Sequence, residues 1–108
     1  MRLLRQEQVK AVFLDTRQKI IAIETITTGT STESILHPKE IFQAAYEHNA
    51  AAIILVHNHP SGILQASEAD KQITRQLKLA GQTMSINVLD HVIVTETGYL
   101  SFVDTGLL

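Results

Sequence analysis

Cysteine is missing from the chain altogether, and its absence excludes disulfide frameworks, thiolate zinc sites and the Pro-Cys-x-x-Cys signature of zinc-dependent nucleobase deaminases. A basic surplus is lacking too: the formal net charge is -2 at pH 7, whereas proteins that bind nucleic acid usually carry a clear excess of lysine and arginine. Any nucleic-acid partner would have to meet a local patch. The one stripe in view is Lys71, Arg75 and Lys78 at i, i+4 and i+7 of a predicted helix, without aromatic residues beside it, and it reads first as a solvated face. No apolar run approaches the ~20 residues of a membrane span, and Met1-Arg2-Leu3-Leu4-Arg5 is too short and too soon polar for a signal peptide. A cytoplasmic location is therefore expected. At 108 residues and 44% hydrophobic composition the chain can bury one core but hardly two, so a single domain over 1–108 is expected.

Periodicity sets out the elements. Val9 to Leu14 and Lys19 to Ile26 are β-branched or apolar runs separated by Asp15-Thr16-Arg17-Gln18, a polar break that suits a hairpin, so the two are expected to pair antiparallel. Thr27 to Ile35 reads as a Thr/Ser/Gly-rich loop. Pro38 suits the first position of a helix that aligns Ile41, Ala44, Ala45 and His48 on one face. Ala51 to His57 shows no alternation, as expected of a strand covered on both faces. A second helix starts near Ser67, presents Ala69, Ile73, Leu77 and Ala80, and is predicted to close at a Gly81 C-cap. Met84 to Thr95 supplies one or two strands, Gly98 a turn and Tyr99 to Phe102 a last short strand. Strands paired locally and then joined through helices imply a mixed sheet flanked by helices, an α/β sandwich.

The chemistry lies in His57-Asn58-His59-Pro60 and, after a short loop, Ser67-Glu68-Ala69-Asp70. Two histidines at i and i+2 on an extended segment project to one side, and neutral imidazoles are preferred ligands of zinc-like cations. Val56 and the apolar run before it drive the pair to a strand end, Pro60 stops the strand, and Asp70 comes round from the next element. Three protein ligands leave a fourth tetrahedral position for water, the catalytic rather than the structural arrangement of zinc. Ser67 and Asp70 also form the pattern of a helix capping box, so Ser67 is expected both to cap the helix and to face the metal water.

His57, His59, Ser67 and Asp70 match the His-x-His-x7-Ser-x2-Asp pattern without a gap, and on these residues the chain resembles the JAB/MPN (JAMM) metalloproteases. Asn58-His59-Pro60-Ser61-Gly62, Gly29-Thr30, His37-Pro38-Lys39-Glu40-Ile41-Phe42 and Leu89-Asp90-His91-Val92-Ile93 resemble segments of the RadC-type bacterial branch, so the likeness covers nearly the whole chain. The resemblance implies the MPN/JAB, cytidine-deaminase-like sandwich, one zinc ion held by two histidines and an aspartate, and an upstream glutamate as general base. Asn58 stands where deubiquitinating relatives carry Ser or Thr, which turns the expectation away from a ubiquitin-like substrate but not from the metal.

The expected reaction is zinc-dependent hydrolysis of an amide in a peptide or protein substrate. Zinc on His57, His59 and Asp70 would acidify its water and polarise the scissile carbonyl. Glu7, just before the first strand as the family's glutamate is, would take the proton and pass it to the leaving amine, with Glu24 the next candidate. The Ser67 hydroxyl would donate to the oxyanion. Asp90 and His91 would face opposite sides of a strand, leaving His91 as a core histidine or a partner of a ligand. His37 and His48 read as structural or exposed, and Ser61 and Gly62 as shaping the loop over the metal. Two other classes stay open. One is a protein-binding module with little or no catalysis, against which every ligand position is filled. The other is a DNA-repair-associated accessory role, for which no helix-hairpin-helix region accompanies these residues.

Overall fold

The computed structural model describes residues 7–28 and 36–108. Thr27 and Thr28 end a strand, while the rest of the predicted loop, with Gly29 and Thr30, and the start of the chain lie outside the described residues. The elements run β1 (Gln8–Leu14), β2 (Ile20–Thr28), α1 (Pro38–Glu47), β3 (Ala52–Asn58), α2 (Glu68–Met84), β4 (Asn87–Val94) and β5 (Tyr99–Ser101). They build one five-stranded sheet in the order β2-β1-β3-β4-β5, with β3 and β4 parallel and the other pairs antiparallel. The predicted mixed sheet with helices is thus present.

The first hairpin closes through Asp15, whose carboxylate accepts from the backbone N–H of Arg17 (2.8 Å) and Lys19 (2.9 Å), while Gln18 takes the left-handed conformation (φ 62°). Alternation then decides which side chains meet the helices. Val9, Ala11 and Phe13 of β1 stand opposite His57, Leu55 and Ile53 of β3, and all but the histidine join Ile41, Phe42 and Ala45 of α1 and Leu77 of α2 in one core. On the far face of the sheet Ile54 and Val56 are only partly buried, so the unbroken apolar run of β3 does not mark a strand sealed on both sides.

β4 carries an irregularity that matters later. Ile53 pairs with Val88 but Ile54 pairs with Asp90, so Leu89 is an extra residue that reverses the alternation beyond it. Val88 and His91, three positions apart, consequently both face the helices, opposite Ile53 and Leu55.

Two details of α2 correct the sequence reading. Its buried residues are Asp70, Thr74, Leu77 and Gly81, whereas Ala69 is exposed: the inner face is turned by one position, toward polar residues with partners inside. Gly81 does not end the helix either. The helix runs on to Met84 and closes at Ser85 in the left-handed conformation (φ 59°), and Ile86 N–H returns to the Gly81 carbonyl at 2.9 Å. A Cβ on Gly81 would collide with the Ile86 carbonyl oxygen, so the glycine is there for close approach of the returning chain. Gly81→Ala tests this cleanly, since helix propensity alone would make alanine better by about 1 kcal/mol. Loss of about 1–3 kcal/mol in urea denaturation is expected instead, from forcing the β4 entry outward.

Candidate metal centre

The site forms where three elements end together. In β1 and β3 the paired residue numbers sum to 66 at Val9 and His57, so one further step of two along each strand sets Glu7 across from His59 on the helix-facing side. Asn58, pointing the other way and fully buried, accepts the Gln8 N–H on its side-chain oxygen at 2.5 Å and so fastens the start of β1 to the end of β3. Pro60 and a turn with Gly62 N–H on the His59 carbonyl (3.0 Å) then lead the chain away, and Gly62 sits at φ 82°. The third contributor is the first turn of α2. Ser67 is the N-cap: its Oγ accepts from Asp70 N–H (3.0 Å) and the Asp70 carboxylate accepts from Ser67 N–H (3.1 Å), the reciprocal capping box expected from the sequence.

These constraints bring Glu7, His57, His59 and Asp70 together, each largely shielded from solvent. Nε2 of His57 is hydrogen-bonded to Oε1 of Glu7, and Nε2 of His59 lies 4.0 Å from the same oxygen. Asp70 reaches both rings from below: Oδ2 is 3.3 Å from His59 Nε2, and Oδ1 is 3.4 Å from His57 Nδ1, without hydrogen-bond geometry in the second case. Ligand atoms of Glu7, His57 and His59 all lie within 4.8 Å of one another. His59 is oriented from behind by the Ile63 carbonyl, 3.0 Å from Nδ1, which leaves Nε2 facing inward.

This donor set fits a divalent cation. Two imidazoles and two carboxylates crowd one shielded volume, and the 3.3 Å from His59 Nε2 to Asp70 Oδ2 equals the edge of a tetrahedron with arms of about 2.0–2.1 Å, the zinc–ligand distance. The charges are also mutually biased. Hydrogen bonding to Asp70 raises the His59 pKa against the opposing effect of burial. Burial would push Asp70 up, but the bond from His59, the charge on His57 and the Ser67 contacts outweigh it and hold the carboxyl well below the usual carboxylate range.

Behind His57 lies His91, the strand histidine expected from the sequence as a core residue or a partner of a ligand, and it is in the core. His91 is 1% exposed, its ring 5.7 Å from that of His57 and 4.6 Å from that of Phe102, and its Nδ1 is 2.7 Å from the Thr74 hydroxyl. Desolvation by burial, reinforced by the charge on His57, pushes its pKa down to about 4. Thr74 gave only a weak signal in the sequence, its position four residues after Asp70. Of the remaining candidates, Ser61 and Ser67 line an open cleft with His59, Ile63, Glu68 and Lys71. Glu24 instead pairs with His48 at 2.7 Å, so the second candidate base is engaged elsewhere. His37 is an exposed N-cap of α1, and Lys71 lies 3.4 Å from Glu68, with Arg75 and Lys78 exposed, as a solvated stripe would be.

A five-stranded mixed sheet with a His-x-His pair at the end of its central strand and an aspartate at the next helix start defines a JAB-type α/β domain. A family model described as RadC-like JAB domain matches residues 1–107, and the chain belongs to that family. It is 52% identical over 103 residues, 95% of its length, to the UPF0758 protein CT0611 of Chlorobaculum tepidum. To the UPF0758 protein of Thermotoga maritima it is 45% identical over 105 residues, 97% of its length. The chain spans about half the length of these relatives, 46% and 47% respectively.

The two shifted histidines have opposite linkage. Stability from His59 is full below pH 6.5 and lost as the pH rises through its raised value, whereas the buried neutral His91 costs stability as the pH falls from 6.5 to about 4. In metal-free protein followed by NMR, the His59 ring should titrate with a midpoint above 6.5, and His91 should not move until the pH nears 4. A His91 midpoint at or above 6.5 would contradict the burial argument.

Proposed function

We propose that this domain is a zinc-dependent hydrolase of the JAMM type, acting on an amide bond of a peptide or protein substrate in the cytoplasm. The observation that carries the reading is the convergence of His57, His59 and Asp70 with Glu7 at the edge of an open cleft. His57, His59 and Asp70 would hold the ion. When bound, zinc supplies Lewis acidity that acidifies water and polarises a carbonyl.

The chain's own residues do the rest. Glu7 stands in reach of both imidazoles, so its Oε1 is placed to take a proton from attacking water and return it to the leaving amine. Ser67 spends an oxygen lone pair on the Asp70 N–H as N-cap, which leaves its hydroxyl hydrogen to donate to a developing oxyanion across the cleft. Capping and catalysis draw on different parts of the same hydroxyl. Asp70, held ionised by its surroundings, stays competent as a ligand at neutral pH.

Two measurements test the reading separately. Protein purified without a histidine tag should contain about one zinc per chain, and His59→Ala or Asp70→Ala should lose it; full occupancy in both variants would refute the ligand set. Glu7→Gln should keep zinc content and thermal stability near wild type while peptidase turnover falls roughly 10²- to 10⁴-fold. Unchanged turnover on a substrate that Asp70→Ala does not cleave would place the base elsewhere.

A further inference from the structure

Two buried side-chain nitrogens among the described residues make no hydrogen bond: Nδ1 of His57 and Nε2 of His91. Buried polar atoms are rarely left without a partner, and these two belong to adjacent rings that line the same cavity, together with Asp70, Val9 and Ile73. The hydrogen-bond chain around them fixes one tautomer. The Thr74 hydroxyl has a single hydrogen, and it goes to the Asp70 backbone carbonyl at 2.6 Å. Towards His91 the same oxygen can therefore only accept, so His91 donates its Nδ1–H to Thr74 across 2.7 Å. A neutral imidazole has one N–H, and Nε2 of His91 is left as a lone pair in the interior.

Zinc held on the cleft side of His57, at the nitrogen that now meets Glu7, would leave that ring with its hydrogen on Nδ1. We infer that His91 is a positioning residue for the metal ligand His57, its Nε2 accepting the Nδ1–H of His57. The inference rests on the metal-centre reading above. The ring planes are 25° apart and their centres 5.7 Å apart. Imidazoles joined edge to edge by an N–H···N bond of ~2.9 Å have centres about 5.2 Å apart, so a movement of about half an ångström closes the contact. Thr74 completes the linkage: it ties His91 to the backbone of Asp70, so two ligands of the same ion are braced by one connected set of bonds. His91 touches no substrate and would act only through His57.

Asparagine and glutamine separate the two ends of the ring, since an Asn amide reaches the Nδ1 position and a Gln amide the Nε2 position. His91→Asn should keep the Thr74 bond yet weaken zinc affinity, measured by competition with a chelator, by roughly 10- to 100-fold. His91→Gln should stay within about 3-fold of wild type. In wild-type protein, ¹⁵N NMR of the rings should show His91 as the Nδ1–H tautomer both with and without zinc, and His57 moving its hydrogen to Nδ1 when zinc is added. Unchanged affinity in His91→Asn with His57 still Nδ1–H would assign the acceptor to Asp70 and overturn the inference, as would an Nε2–H tautomer of His91 in either state. Should wild-type protein take up no zinc, the metal-centre reading fails. The His91 assignment falls with it in that case, whereas zinc uptake with unchanged affinity in His91→Asn overturns the inference alone.

Discussion

Everything at the candidate metal centre depends on the register between β1 and β3. A strand pair has a period of two, so pairing Val9 with His57 commits Glu7 to the level and face of His59; a slip of one residue would turn every one of these side chains to the other side of the sheet. The hydrophobic core enforces this register from within, because the same alternation buries Ala11, Phe13, Ile53 and Leu55. Asn58 enforces it at the open end, where core packing has run out. The residue between the two histidines is thus occupied with alignment, through contacts on the side of the strand away from the two imidazoles.

The first turn of α2 meets a second constraint with the same economy. A helix start requires acceptors for its free N–H groups and favours negative charge, and a cation site requires a carboxylate held at a fixed angle. Asp70 meets both demands: one oxygen accepts from Ser67 and faces His59, and the other faces His57. Capping removes the rotamer freedom that an aspartate would otherwise lose on binding an ion. The reading of Ser67 and Asp70 as a capping box and as site residues therefore describes one geometry rather than two rivals.

Local patterns in the sequence exposed the elements, the hairpin, the capping box and the histidine pair, because each is decided by neighbours within a few residues. Features set by distant parts of the chain were not legible. Gly81 looks like a helix stop from its neighbours alone, but its role comes from Ile86 folding back across it. The inner face of α2 was misplaced by one position because Asp70 and Thr74 are polar, and hydropathy cannot know that their partners lie inside. The link from Asn58 to Gln8 spans 50 residues, and no spacing rule reaches that far. His91 was visible as a histidine in a strand, but which face it took depended on an irregularity that no propensity announces.

That irregularity has a consequence for how the fold tolerates change in length. With Leu89 in place, the residues before it and after it answer to opposite parities, and His91 is delivered to the interior while Asp90 is left to gather Ser101 Oγ (2.6 Å) and the Val103 N–H (3.1 Å). Deleting Leu89 would restore a regular ladder with His91 still inward and Asp90 still outward, whereas taking Leu89 into the ladder as an ordinary strand residue would exchange the two destinations, an acid inward and an imidazole outward. A substitution anywhere in this strand alters one contact, whereas a deletion beyond His91 would turn every side chain that follows to the other face. Descendants of this sequence can therefore shed a residue at position 89 far more freely than in the stretch of β4 that follows.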